Sequence, residues 1–164
     1  GDWFDHDFRL MVNTAVPESS WGETLSVGDV VTVDAEVQDY YGDTQLTDAV
    51  IIPQDESMEP QVTTVTLAEA LDESFEGVLV TVSDAVLGET TYDCSVDNAN
   101  CSDEGLWTLS SPSTGTDRLL VFDRLYDADD WPDRVGMLPV TGVLTYRFDQ
   151  RRIMPRSESD FGSP

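Results

Sequence analysis

The stretches "VGDVVTVDAEVQDYYGDTQLT" (Val27–Thr47) and "VGMLPVTGVLTYRFDQRRIMP" (Val135–Pro155) decide the fold. Each opens on Val-Gly, enters alternating apolar residues, turns at an aromatic residue and runs into a second short strand. In the first, Val31, Val33, Ala35 and Val37 alternate with Thr32, Asp34, Glu36 and Gln38. A period of two places one set on each face of a β-strand. Residues 33–47 align with 140–154 without a gap: Val33 with Val140, Val37 with Leu144, Tyr41 with Phe148, and Leu46 with Ile153. With small offsets upstream, "RLMV" (Arg9–Val12) answers "RLLV" (Arg118–Val121), and Trp21 answers Trp131. An ordered series of matches indicates an internal repeat.

Strand patterns dominate elsewhere too: "FRLMV" (Phe8–Val12), "AVII" (Ala49–Ile52), "GVLVTVSDAVL" (Gly77–Leu87), "LWTLS" (Leu106–Ser110) and "RLLVF" (Arg118–Phe122). One short helix is predicted at "TLAEALDES", where Thr66 and Glu69 have the spacing of a capping box. The polar, proline-bounded "PQDESMEPQ" (Pro53–Gln61) lacks periodicity and reads as a linker. The expected architecture is therefore all-β, with two tandem Greek-key barrels of the OB type. Residues 1–52 form an incomplete repeat, 53–65 a linker and 66–164 a complete domain. The second copy has a long strand, "EGVLVTVSDAVL", ahead of Leu106, whereas the first begins at Gly1 without room for its equivalent. The first barrel is thus expected to lack its first strand. That strand could be removed by processing, supplied by another segment of the chain, or supplied by a neighbouring molecule.

The stretch Val27–Thr47, with "SFEGVLVTVSDAV" (Ser74–Val86) and "GVLTYRFDQRRIMPRSESD" (Gly142–Asp160), resembles a known family. It is similar to the OB-like modules that accompany secreted bacterial and archaeal nucleases of the endonuclease/exonuclease/phosphatase class, and related surface lipoproteins. The shared motifs are structural turns and strand starts, so the resemblance implies a fold and carries no catalytic residue across.

Charge is the strongest compositional signal. Asp and Glu total 33 against 8 basic residues, all arginine, for a net charge of -25. Such a surface repels phosphate backbones, which disfavours nucleic acid as a partner of the whole surface. No apolar run is long enough to span a bilayer. Cys94 and Cys101 can close a small loop as a disulfide, which implies an oxidising, extracellular setting.

Signs of catalysis are scarce. His6 is the only histidine, and neither a nucleophile elbow nor a phosphate-binding glycine loop occurs, so no catalytic residue is assigned. Calcium is the one cofactor the residues suggest. Asp93, Asp97, Asn98, Asn100 and Asp103 crowd one loop, and Asp127, Asp129 and Asp130 another, although neither has EF-hand spacing and a solvated acidic loop reads equally. Four of the arginines, Arg147, Arg151, Arg152 and Arg156, fall in "RFDQRRIMPR", a positive hairpin in a negative chain. They suit an acidic patch on a neighbour, an anion, or local pairing with nearby Asp.

The function expected from these features is non-catalytic. The chain reads as an extracellular structural or adhesive subunit that self-associates by β-strand complementation into an assembly or filament. Trp3, Phe4, Phe8 and the arginine hairpin would contact the partner, either a second copy or another surface protein. The rival readings are a nucleic-acid-binding module of a secreted nuclease, using Tyr40, Tyr41, Tyr146 and the arginines, and a calcium-dependent surface domain.

Overall fold

The computed structural model describes residues 25–91, 106–112, 117–122, 125–126, 136–137, 139–147 and 149–162. The protein is all-β, with almost no helix, and divides into two compact units at Gln61/Val62.

In the first unit, strand β1 (Asp29–Tyr40) pairs antiparallel with β2 (Asp43–Ser57) and, among the described residues, with nothing else. The two strands meet at a two-residue loop, Tyr41 and Gly42, with φ of 55° and 84°. Two positive φ values define the turn whose twist suits a hairpin. The Gly42 N–H donates to Asp39 Oδ1 at 3.1 Å, closing the tip. Farther along, a bulge opposite Ala35 shifts the register between Asp34 and Glu36, and Asp48 there has φ of 52°. Leu46 and Ile51 are five residues apart and would face opposite ways in a regular strand. The extra residue returns both to the face that carries Val33 and Val37.

The structure refines two boundaries. "AVII" is not a separate strand but the middle of β2, because the bulge absorbs the break in alternation. Likewise Pro53–Ser57, expected as linker, continues β2, with Pro53 opposite Val31 and Ser57 opposite Asp29. Proline donates no ladder hydrogen bond, and its place in a strand at a sheet edge beside a register shift meets that restriction. The irregular stretch between the units therefore narrows to residues 58–62.

The second unit contains β3 (Thr63–Val65), helix α1 (Leu67–Ala70), β4 (Leu79–Val82), β5 (Val86–Thr91), β6 (Leu106–Ser110), β7 (Arg118–Phe122), β8 (Gly136–Met137), β9 (Val140–Arg147) and β10 (Gln150–Met154). Their order in the sheet is β3-β4-β9-β10-β7-β6-β5-β8. Only Ser83–Ala85 separates β4 from β5, so one bent strand reaches both sides of the ladder, inside β3 at one edge and β8 at the other. β9 lies against β4 and β8 against β5, both antiparallel, while β7 and β10 pair in parallel. This is the strand order of an OB-type Greek-key barrel, the architecture expected for this half. β3 is an addition, running parallel to β4 at its edge, so the ordered unit starts slightly ahead of residue 66.

Alternation along β9 buries Val140, Gly142 and Leu144 inside, where Val80, Leu109, Val121 and Ile153 meet them. β7 is buried on both faces from Leu119 to Phe122, hence its unbroken apolar run. Helix α1 contributes Leu67 and Ala70 to the same core. Its capping box is present as predicted: Glu69 N–H donates to Thr66 Oγ1 at 3.3 Å, and Thr66 N–H donates to Glu69 Oε2 at 2.7 Å. These bonds hold the Glu69 carboxyl below its ordinary range. Asp84 adds a further acceptor for the Leu67 N–H at 2.6 Å, tying the helix start to the bend between β4 and β5.

Candidate functional site

The two aligned stretches both fold as hairpins. In the first hairpin Tyr40 pairs with Asp43, Val37 with Leu46, and Glu36 with Thr47. In the second, Arg147 pairs with Gln150, Leu144 with Ile153, and Val143 with Met154. These are equivalent positions of the ungapped alignment, so the two hairpins share one register from the turn outward.

Their surroundings differ. β9 is flanked by β4 and β10 by β7. The positions equivalent to those contacts are Val33–Glu36 of β1 and Gln45–Leu46 of β2, and no described strand lies alongside them. Val37 is 73% exposed where its counterpart Leu144 is 1% exposed. Val50, Ile52 and Leu46 are exposed as well. At the tip Tyr40 and Tyr41 meet edge to face, with ring centroids 4.8 Å apart, and both are exposed. Tyr41 is a bulky residue in the left-handed region, a conformation that costs a non-glycine residue about 1–2 kcal/mol. In the second hairpin Asp149, at the position equivalent to Gly42, is left-handed too, and Asp is a type that tolerates this backbone.

A concavity of about 520 Å³ opens on the barrel beside the β9–β10 turn. Leu71, just after α1, Arg118 and Leu120 on β7, and Tyr146, Asp149, Gln150 and Arg151 line it. Period two along β7 brings Arg118 and Leu120 to one face. Arg151 crosses the Tyr146 ring with its guanidinium carbon 4.6 Å from the centroid, and it pairs with Glu76. Arg118 is exposed and forms no ion pair with any described residue. The Tyr146 hydroxyl donates to Asp149 Oδ1 at 3.4 Å, a long bond. The site therefore offers a half-buried aromatic ring, aliphatic walls and one available guanidinium.

The four arginines of the hairpin segment do not act as one patch. Arg151 belongs to the concavity. Arg152 is buried, its guanidinium carbon 5.1 Å from the Phe122 ring centroid. Arg156 forks onto Asp160 through Nε at 2.9 Å and Nη2 at 2.8 Å, and its backbone N–H donates to the same carboxylate at 2.7 Å. Burial raises the Asp160 pKa, but the hydrogen bonds and charge of Arg156 outweigh it and leave the carboxyl below its ordinary range. The Asp160 bonds conversely hold the Arg156 guanidinium above its own. That pair pins the tail: Phe161 is buried and bridges to Val140, and the Gly162 N–H donates to the Pro139 carbonyl at 2.8 Å. Arg147 stands at the end of β9 next to the turn.

Several predicted residues lie outside the described residues: Trp3, Phe4 and Phe8, the pair Cys94 and Cys101, and the acidic groups Asp93, Asp97, Asn98, Asn100, Asp103, Asp127, Asp129 and Asp130. Among the described residues no group of His, Cys, Asp and Glu is gathered as a metal site, and no helix is long and apolar enough to cross a membrane. Sequence reasoning did not single out Arg118, Leu71 or Glu76. The signal for Arg118 was present: a lone charge opening an apolar strand, two residues from a leucine on the same face. Comparison with known families, curated proteins and solved structures finds no match for this chain.

Proposed function

We propose that the protein is a non-catalytic extracellular subunit, structural or adhesive, which self-associates by adding a strand to the open edge of its β1–β2 ribbon. One observation carries this reading. Two hairpins of one register occur in the same chain, and the neighbours that bury the second have no described equivalent beside the first. An unpaired strand edge presents backbone donors and acceptors for another strand, and a two-stranded ribbon alone is marginally stable. The exposed Val37 and Leu46 offer apolar contact to whatever completes the sheet. The occupant is a strand of a second copy, laid antiparallel to β1 at Val33–Glu36 as β4 lies against β9.

Light scattering over a concentration series tests the reading. Association should bring particles well above the 18.1 kDa chain mass, and Val37→Lys, a charge on the open face, should suppress them. Particles of single-chain mass at every soluble concentration would end the proposal.

A second reading, binding of single-stranded nucleic acid on the barrel, has one observation in its favour: the Arg151–Tyr146 stack in an open concavity. The resemblance to nuclease-associated modules also points that way. The charge of -25 weighs against it.

A further inference from the structure

The ribbon tip and the barrel concavity have complementary chemistry. Residues 27–61 contain no basic residue, whereas every described arginine belongs to the barrel unit. At the tip, two exposed tyrosine rings stand between Asp39 and Asp43. The concavity offers the Tyr146 ring, Leu71 and Leu120, with the guanidinium of Arg118 available at its side and Asp149, which accepts from the Tyr146 hydroxyl, as its acidic lining residue. Tyr41 is 82% exposed, so its own chain gives little packing in return for its left-handed backbone. A glycine or asparagine would form the turn with less strain. The exposed ring is available for a contact beyond the ribbon.

We infer that the tip Tyr40–Asp43 of one copy docks in the Arg118–Tyr146–Arg151 concavity of the next. Tyr41 enters against Tyr146 and Leu120, and the acidic flank of the tip faces Arg118. The contact joins two different surfaces, so a pair of copies can exchange tips reciprocally or successive copies can link into rings and open chains. This inference rests on the self-association proposed above and names a docking surface distinct from the β1 edge.

Three proteins test it: the wild type, Tyr41→Gly and Arg118→Glu. Tyr41→Gly relieves backbone strain, so it should melt no lower than the wild type. Arg118→Glu alters an exposed side chain, and its circular dichroism should be unchanged. Each variant alone should associate roughly thirtyfold more weakly than the wild type, the effect expected on losing an anchoring residue. Mixed together, they retain one intact tip and one intact concavity. Docking in the mixture should therefore stop at a one-to-one pair, and growth beyond it is left to strand addition, so the particles should be smaller than those of the wild type.

Variants that assemble like the wild type, while Val37→Lys does not, overturn the docking inference and leave strand addition standing. A wild type that stays monomeric overturns both. Arg118-dependent binding of a short oligothymidylate, with assembly unaffected by either variant, assigns the concavity to nucleic acid instead.

Discussion

The two hairpins, β1–β2 and β9–β10, are the same local structure in opposite environments. From the turn outward their residues pair at equivalent positions, and the apolar pair Val37–Leu46 of the first answers Leu144–Ile153 of the second. Yet Leu46 is 39% exposed, while its counterpart Ile153 is fully buried. Register is thus a local property, set by a two-residue loop and by alternation along each strand. Burial is a property of the neighbours. One pair of sequences, read in isolation, says nothing about which of them will end inside a barrel.

The comparison can be broken most directly in the core. Leu144→Ala should cost about 2–5 kcal/mol, since it opens a cavity among Val80, Leu109 and Ile153. Val37→Ala, the equivalent truncation in the ribbon, should cost within about 0.5 kcal/mol in dilute monomer. Denaturant titration of the two variants measures both. Equal losses would mean that the ribbon is packed as tightly as the barrel.

A glycine sharpens the same contrast. A Cβ on Gly142 would come within 2.6 Å of the Met154 carbonyl oxygen and 2.7 Å of Ile153 Cγ1, so strands β9 and β10 leave no room for one. The first hairpin has Ala35 at the aligned position, where the bulge relaxes the pairing. Gly142→Ala should therefore lose about 1–3 kcal/mol by overpacking. Ala35→Gly should lose less, about 0.5–1 kcal/mol of strand preference. A thermal melt of each variant decides the order.

Acid should separate the units by a smaller margin. The folded-state pKa of Asp160 lies below its unfolded value, so its pairing with Arg156 stabilises the barrel fully above that unfolded value, near 4. This contribution is lost as pH falls through the folded pKa. Asp160→Asn should be less stable at neutral pH and should show a flatter stability curve below pH 4. Melting temperatures across that range give the slope.

Much of the fold was legible because its signals are local. The capping box at Thr66 and Glu69, the alternation along β9 and the aromatic turn each lie within a few residues, and each predicted its element. What was illegible depended on distant partners. The arginine segment reads as a positive hairpin for which local pairing with nearby Asp is one reading; Arg156 does meet Asp160, but Arg151 meets the distant Glu76 and Arg152 is buried over Phe122. Strand alternation alone gives no means of choosing among those fates. Arg118 escaped notice for the same reason, since the concavity exists only once β7 lies alongside β10. The bulge at Asp48 hid the continuity of β2, because one inserted residue interrupts a pattern of period two.

The single bent strand β4–β5 that reaches both sides of the barrel also sets an order of events during synthesis. The β4 segment is made early, but its partner β9 follows some sixty residues later, and the parallel pairing of β7 waits for β10. The barrel therefore cannot begin to close on a translating ribosome until β9 and β10 have emerged. The ribbon, whose pairing spans a two-residue loop, can form at once. Long-range pairing of this kind folds slowly and leaves apolar strands uncovered meanwhile.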